Sequence, residues 1–141
     1  MFKISLYSPG KNHENWLQEA IETYAKRLTP YAEIHWHFPK DNLHMELLLA
    51  KQSFYIALDP QGSSFTSGEF SQFLFSEGEK RGSRLNFVIG AADGLTSSIK
   101  AGASSLISLS PLTFTHQITR LILTEQIYRA FTIYHRLPYH K

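Results

Sequence analysis

The chain contains no cysteine. Disulfides and thiolate metal ligation are therefore excluded, and the composition suits a reducing compartment. No apolar run approaches the ~20 residues that a membrane-spanning helix requires. The opening MFKISLYSPG is too short and too polar for a secretory signal. These absences lead to the expectation of a cytoplasmic protein with no membrane contact. Charge of one sign is scarce as well. A net charge of +2 is small for a dedicated nucleic-acid module, so any RNA binding has to come from local clusters or a second subunit. Seven histidines are scattered along the chain without an HExxH pair or a tight triplet, so no metal site is expected.

What is present suits one domain over residues 1–141. A chain of this size buries about 68–70% of its unfolded surface, enough for a core without covalent staples. FKISLY at Phe2–Tyr7 alternates like a strand, and Ser8-Pro9-Gly10 turns it. Asn15–Leu28 carries Leu17, Ala20, Ile21, Tyr24 and Leu28 on one half of a helical wheel, with Glu19, Glu22 and Lys26 opposite. Ala32–Phe38 reads as a strand, Leu43–Lys51 as a short helix and Ser53–Leu58 as a strand turned by Asp59-Pro60-Gln61-Gly62. Ser67–Lys80 is helical. Leu85–Ile89 is a near-continuous apolar strand, the pattern of burial on both faces. A weak helix at Thr96–Gly102, a short strand at Leu106–Leu109 and a long helix at Thr115–Tyr134 complete the chain. Alternating strands and helices predict an α/β fold with a mostly parallel sheet.

Three features stand out from that scaffold. The last helix is apolar on two sides, which implies burial against two surfaces, one the sheet and the other a partner chain. Glu125 and Arg129 lie inside one of its apolar stripes at i, i+4 spacing. They suit either an ordinary helix ion pair worth roughly 0.2–0.5 kcal/mol or a pair withdrawn from water for a site or an interface. Second, VIGAADGLT at Val88–Thr96 runs from a buried strand into Gly90 and Gly94, where backbone can approach a ligand at the carboxyl end of a strand. It is not GxGxxG, and a plain strand-to-helix turn explains it equally well. Third, LISLSPLTFTH at Leu106–His116 enters the long helix with Thr113 or Thr115 as its cap.

IGAADGL, SLSPLTFTHQITRLILTEQIYRAF and LPYHK, together with the LTPY turn and IALDPQG, resemble the RlmH family. These are small SPOUT-class methyltransferases that methylate N3 of a pseudouridine in 23S ribosomal RNA. The likeness spans nearly the whole chain and is strongest from Asn86 onward. It implies a C-terminal trefoil knot, a homodimer joined through the last helix, a ribosomal RNA partner and S-adenosyl-L-methionine as cofactor. Cofactor positions carry over to Leu58, Gly90 and the run Leu109, Ser110, Pro111, Leu112, Thr113 and Phe114. The chain departs from the family pattern at Ala91, at Asp93, at Thr115 and in a shortened Asp41–Lys51 segment.

The chemistry of that reaction assigns the remaining candidates. The imide proton on N3 must leave, and the base must be unpaired or extruded, because N3 lies on its pairing edge. His140 is the expected proton relay. Tyr139 is expected to stack on the base or to donate a hydrogen bond. Arg129 would stabilise the base anion, with Glu125 orienting it. Lys141, Arg136, Arg120 and, more weakly, His116 are assigned to RNA contacts. Competing readings are a SPOUT methyltransferase acting on another RNA such as transfer RNA, a non-catalytic ribosome-associated RNA-binding module, and a small-molecule α/β enzyme.

Overall fold

The computed structural model describes residues 1–141. Its elements are β1 (Phe2–Tyr7), α1 (Asn15–Leu28), β2 (Ala32–His37), α2 (Asn42–Leu49), β3 (Ile56–Ser64), α3 (Ser67–Lys80), β4 (Arg84–Val88), α4 (Ser97–Gly102), β5 (Ser105–Ser108) and α5 (His116–Tyr134). The strands form one sheet in the order β2-β1-β4-β3-β5, and every paired neighbour is parallel. Parallel neighbours require crossovers, which the helices supply on both faces.

One face packs on α1, α3 and α5. Its core joins Ile4, Leu6, Ile56, Leu85, Phe87 and Ile107 of the sheet to Leu28, Phe70, Leu74, Leu123, Ile127 and Phe131 of those helices. The other face packs on α2 and α4, where Met45, Leu49 and Ile99 meet Tyr7, Tyr55, Ala57 and Val88. The central strand β4 therefore sends Leu85 and Phe87 to one layer and Val88 to the other, which explains its continuous apolar run. Helix starts follow their side chains. Thr66 and Glu69 form a reciprocal capping box on α3. Thr96 accepts from the Ile99 N–H at 3.2 Å. Thr115, rather than Thr113, caps α5 by accepting from the Ile118 N–H at 3.2 Å.

The turn expected at Asp59–Gly62 is instead an excursion within a strand. Ile107 of β5 is the register partner of both Leu58 and Ser63, so the residues between them loop out and the ladder resumes. Asp59 Oδ2 accepts from the Gln61 N–H at 3.1 Å, which shapes the excursion. A Cβ on Gly62 would stand 2.7 Å from the Leu106 carbonyl and the Ile107 nitrogen, so only glycine lets the two backbones pass. Ser53–Tyr55, expected as strand, precede β3.

Helix α5 buries Leu123, Ile127, Ala130 and Phe131. Ile118, Leu121, Ile122 and Ile133 on its other side remain half-buried within a single chain. No helix is long and apolar enough to cross a membrane.

Candidate active site

The excursion within β3 and the carboxyl ends of β4 and β5 open into one cavity of about 660 Å³. Its walls are Leu58–Pro60 at the excursion within β3, the loop Ile89–Ala92 with Gly94 and Leu95 after β4, the segment from Ser108 at the end of β5, and the first turn of α5 through His116, Gln117 and Thr119. Gly90 is obligatory here. A Cβ at that position would lie 2.7 Å from the Gly94 carbonyl carbon and 2.9 Å from the Leu95 nitrogen. The loop closes on itself through the Gly94 N–H donating to Ala91 O at 2.8 Å, with Gly94 at φ +83°. After β5, Ser108 Oγ donates to Ser110 O at 2.9 Å and the Leu112 N–H donates to Ser110 Oγ at 3.0 Å. Two serines thus set the path of the second loop.

Every expected cofactor position except Pro111 lines this cavity: Leu58, Gly90, Leu109, Ser110, Leu112, Thr113 and Phe114. Pro111 is exposed beside it. His116 also belongs to the wall, and burial, then the charges of Arg120 and His13, pull its pKa below the usual histidine range. Asp59 was hidden from sequence reasoning inside what looked like an ordinary turn, yet it is the one acidic side chain in the lining. No cluster of three or more His, Cys, Asp or Glu residues is placed to hold a metal.

The four expected catalytic residues form a second group. Arg129 donates to Glu125 Oε2 from Nη2 at 2.9 Å and from Nε at 3.2 Å. Tyr139 OH donates to the same oxygen at 2.7 Å. Arg129 Nη1 lies 3.0 Å from His140 Nδ1, and its guanidinium sits 4.8 Å from the centre of the Tyr139 ring. Burial, and next the bond to Glu125, push the Tyr139 pKa well above the usual tyrosine range. The ion pair proposed from spacing alone is thus the base of a four-residue cluster.

A reversal at the end of α5 makes that cluster possible. Arg136 adopts φ +55°. The Leu137 N–H donates to Thr132 O at 2.8 Å and the Arg136 N–H to Ile133 O at 3.1 Å. These are the two bonds of a Schellman motif, here with arginine at the left-handed position. The motif folds Pro138–His140 back along the helix.

Arg120 requires a correction. It was expected to contact RNA, but it is fully buried. Its Nε donates to Ser8 Oγ at 2.7 Å, Nη1 to Asn12 Oδ1 at 2.8 Å, and Nη2 to Pro9 O at 2.6 Å and Gly10 O at 2.9 Å. Burial pulls the guanidinium down to about 10. The residue clamps the β1–α1 loop onto α5 and presents nothing to a phosphate. Arg136 and Lys141 remain exposed.

The cavity and the cluster occupy different parts of α5. From Thr119, the wall residue farthest along α5, to Glu125 is six residues, and to Arg129 ten. At 1.5 Å per residue these separations are roughly 9 Å and 15 Å along the axis.

Residues 2–140 match the family model described as "Predicted SPOUT methyltransferase". The chain belongs to the SPOUT methyltransferase family. Among curated relatives of this SPOUT protein, "Ribosomal RNA large subunit methyltransferase H" of Protochlamydia amoebophila is 48% identical over 141 residues, 100% of both chains. That alignment leaves no room for an insertion, so the short Asp41–Lys51 segment is shared with that relative. The protein of the same name from Prochlorococcus marinus strain NATL1A is 43% identical over 148 residues, covering 100% of this chain and 99% of the relative. Solved structures agree in fold. "Probable Methyltransferase from Bordetella pertussis Tohama I" superposes with a TM-score of 0.56 at 13% identity, covering 92% of this SPOUT chain and 95% of that one. TrmJ from Z. mobilis ZM4 gives 0.54 at 14% identity, covering 94% and 70%.

Proposed function

We propose that this methyltransferase carries a methyl group from S-adenosyl-L-methionine to N3 of a pseudouridine in 23S ribosomal RNA within the ribosome, in the cytoplasm. The observation that carries the reading is the convergence of the two backbone-rich loops on one cavity at the strand ends. Its size lies within the roughly 300–1,000 Å³ of small-molecule sites. Its donor set also fits the cofactor. Backbone groups and the Ser110 and Thr113 hydroxyls suit the edge of a neutral adenine and a ribose, and Leu58, Leu109 and Phe114 provide apolar walls.

When bound, the cofactor supplies an electrophilic sulfonium methyl. The chain's own residues then hold the acceptor, exclude water and manage one proton. Glu125 fixes both Arg129 and Tyr139 through a single oxygen, so the Arg129 charge and the Tyr139 ring form a rigid platform for an extruded base. Tyr139, held protonated with its one hydrogen on Glu125, serves as a surface rather than a base. With Nδ1 accepting from Arg129, the His140 ring offers Nε2–H as its donor. In that state it donates to a base carbonyl as negative charge builds. His140 takes the N3 proton on Nδ1 after leaving Arg129.

A homodimer is part of this proposal. The ~9–15 Å between cavity and cluster along α5 exceeds the ~3 Å reach of a reacting pair. A two-fold pairing of α5 helices would bring one protomer's cluster to its partner's cavity and would cover Ile118, Leu121, Ile122 and Ile133. The trefoil crossover implied by the RlmH resemblance belongs to the same reading.

Mass spectrometry of 23S RNA from cells with and without the protein tests the proposal. One methyl should disappear from a single pseudouridine-containing fragment and return when purified protein and cofactor are added to ribosomes lacking the mark. An unchanged fragment, or transfer to bulk transfer RNA instead, overturns it.

A further inference from the structure

Asp59 stands alone in the cavity as an acid. Of the residues lining the space, the other ionisable side chain is His116, whose pKa burial lowers. Asp59 Oδ2 is occupied by the Gln61 N–H at 3.1 Å. Oδ1 meets Lys100 Nζ of α4 at 3.2 Å, with the aspartate side chain 12% and the lysine side chain 36% exposed. Lys100 is not part of the cavity wall. A sheltered acidic residue therefore belongs to the cavity wall while its counter-charge comes from a residue outside that wall.

We infer that Asp59 lets the cavity tell a sulfonium methyl donor from its neutral thioether product, and that Lys100 orients this charge and moderates it. This rests on reading the cavity as the cofactor site. Methyl transfer breaks the bond from sulfur to the methyl carbon and forms the bond from that carbon to N3. The electron pair stays on sulfur, which loses its positive charge, and the N3 proton departs. Donor and product therefore differ by one charge and one methyl in otherwise equal contacts. A carboxylate in a partly enclosed site distinguishes them by Coulomb attraction, roughly five- to ten-fold in affinity. The same difference helps the spent product leave.

The two charges predict opposite signs, which an ordinary structural ion pair does not. In calorimetric titrations of the full chain, S-adenosylmethionine and S-adenosylhomocysteine are each bound to wild type, Asp59→Asn, Lys100→Met and the double variant. The donor-to-product affinity ratio should fall about five- to ten-fold in Asp59→Asn and rise about two- to five-fold in Lys100→Met. The double variant should match Asp59→Asn. Raising salt should shrink the wild-type ratio. Equal losses for both ligands, or an unchanged ratio in Lys100→Met, overturn the inference and leave the pair a structural tie or a ribose contact. If Asp59→Asn does not fold by circular dichroism, Lys100→Met alone decides the sign. Failure of wild type to bind either ligand overturns the cofactor reading and the inference together.

Discussion

Tyr139 donates its phenolic hydrogen to Glu125 Oε2 at 2.7 Å, across a sequence separation of 14 residues. The same oxygen receives two N–H groups of Arg129. One carboxylate therefore organises the aromatic ring, the guanidinium and, through the guanidinium, His140. Glu125→Gln keeps the shape but removes the charge that binds all three. Methyl transfer should fall about 100-fold or more, with cofactor affinity unchanged by calorimetry. Deleting Tyr139–Lys141 should abolish transfer while leaving cofactor affinity within about a few-fold, because the cavity lies elsewhere on α5. Full activity in the truncated protein would remove the tail from the mechanism.

Arg120 makes the opposite prediction. Its donors are spent on Ser8, Pro9, Gly10 and Asn12. Arg120→Met should cost about 2–4 kcal/mol in urea unfolding, since it strands polar partners in the interior. The salt dependence of RNA binding should not change. Arg136→Ala and Lys141→Ala should do the reverse, each lowering the salt slope by about one phosphate contact.

Gly90→Ala tests the glycine loop. The added methyl would enter the space of the Gly94 carbonyl carbon at 2.7 Å. The loop must open, at a stability cost of about 1–3 kcal/mol. Cofactor affinity should fall about ten-fold or more, while the far-ultraviolet circular dichroism stays native. Wild-type affinity in this variant would show that the loop does not shape the cavity.

Arg136→Gly separates backbone from charge. Arginine holds φ +55°, a left-handed conformation that glycine adopts without strain. The variant should therefore raise the thermal midpoint, by roughly 0.4–1 kcal/mol of stability, and still weaken RNA binding. A lowered midpoint would mean that the Arg136 side chain itself stabilises the reversal.

Stability should also depend on pH at both ends. Burial raises the pKa of Tyr7, Tyr55 and Tyr139. A raised folded-state value favours the protonated form, so this stability is complete below the ordinary tyrosine value near pH 10 and is lost as pH climbs above it. Burial lowers His37 and His116. Their contribution is present above the ordinary value near 6.5 and is lost as pH falls through the depressed values. Urea midpoints should be flat between these limits and decline outside them. Tyr139→Phe should soften the alkaline decline.

Local pattern determined a large part of this protein. The bounds of β1, α1 and α3 follow from alternation, helical periodicity and caps, because burial on one or two faces dictates which residue types recur and at what spacing. The loops at Gly90 and Ser110 stood out as backbone-exposing segments after buried strands, but pattern alone suits plain turns equally well, and the cofactor positions there came from the family resemblance. Tertiary structure alone decided what pairs with what across the chain. Arg120 reads as a surface cation until a loop 108 to 112 residues away closes over it. Asp59 reads as a turn residue until β3 resumes beyond it and Lys100 reaches it. The return of Tyr139 and His140 to Glu125 and Arg129 depends on one left-handed arginine. In each case the energy lies in contacts between distant segments, and periodicity over a few residues carries no information about which distant segment arrives.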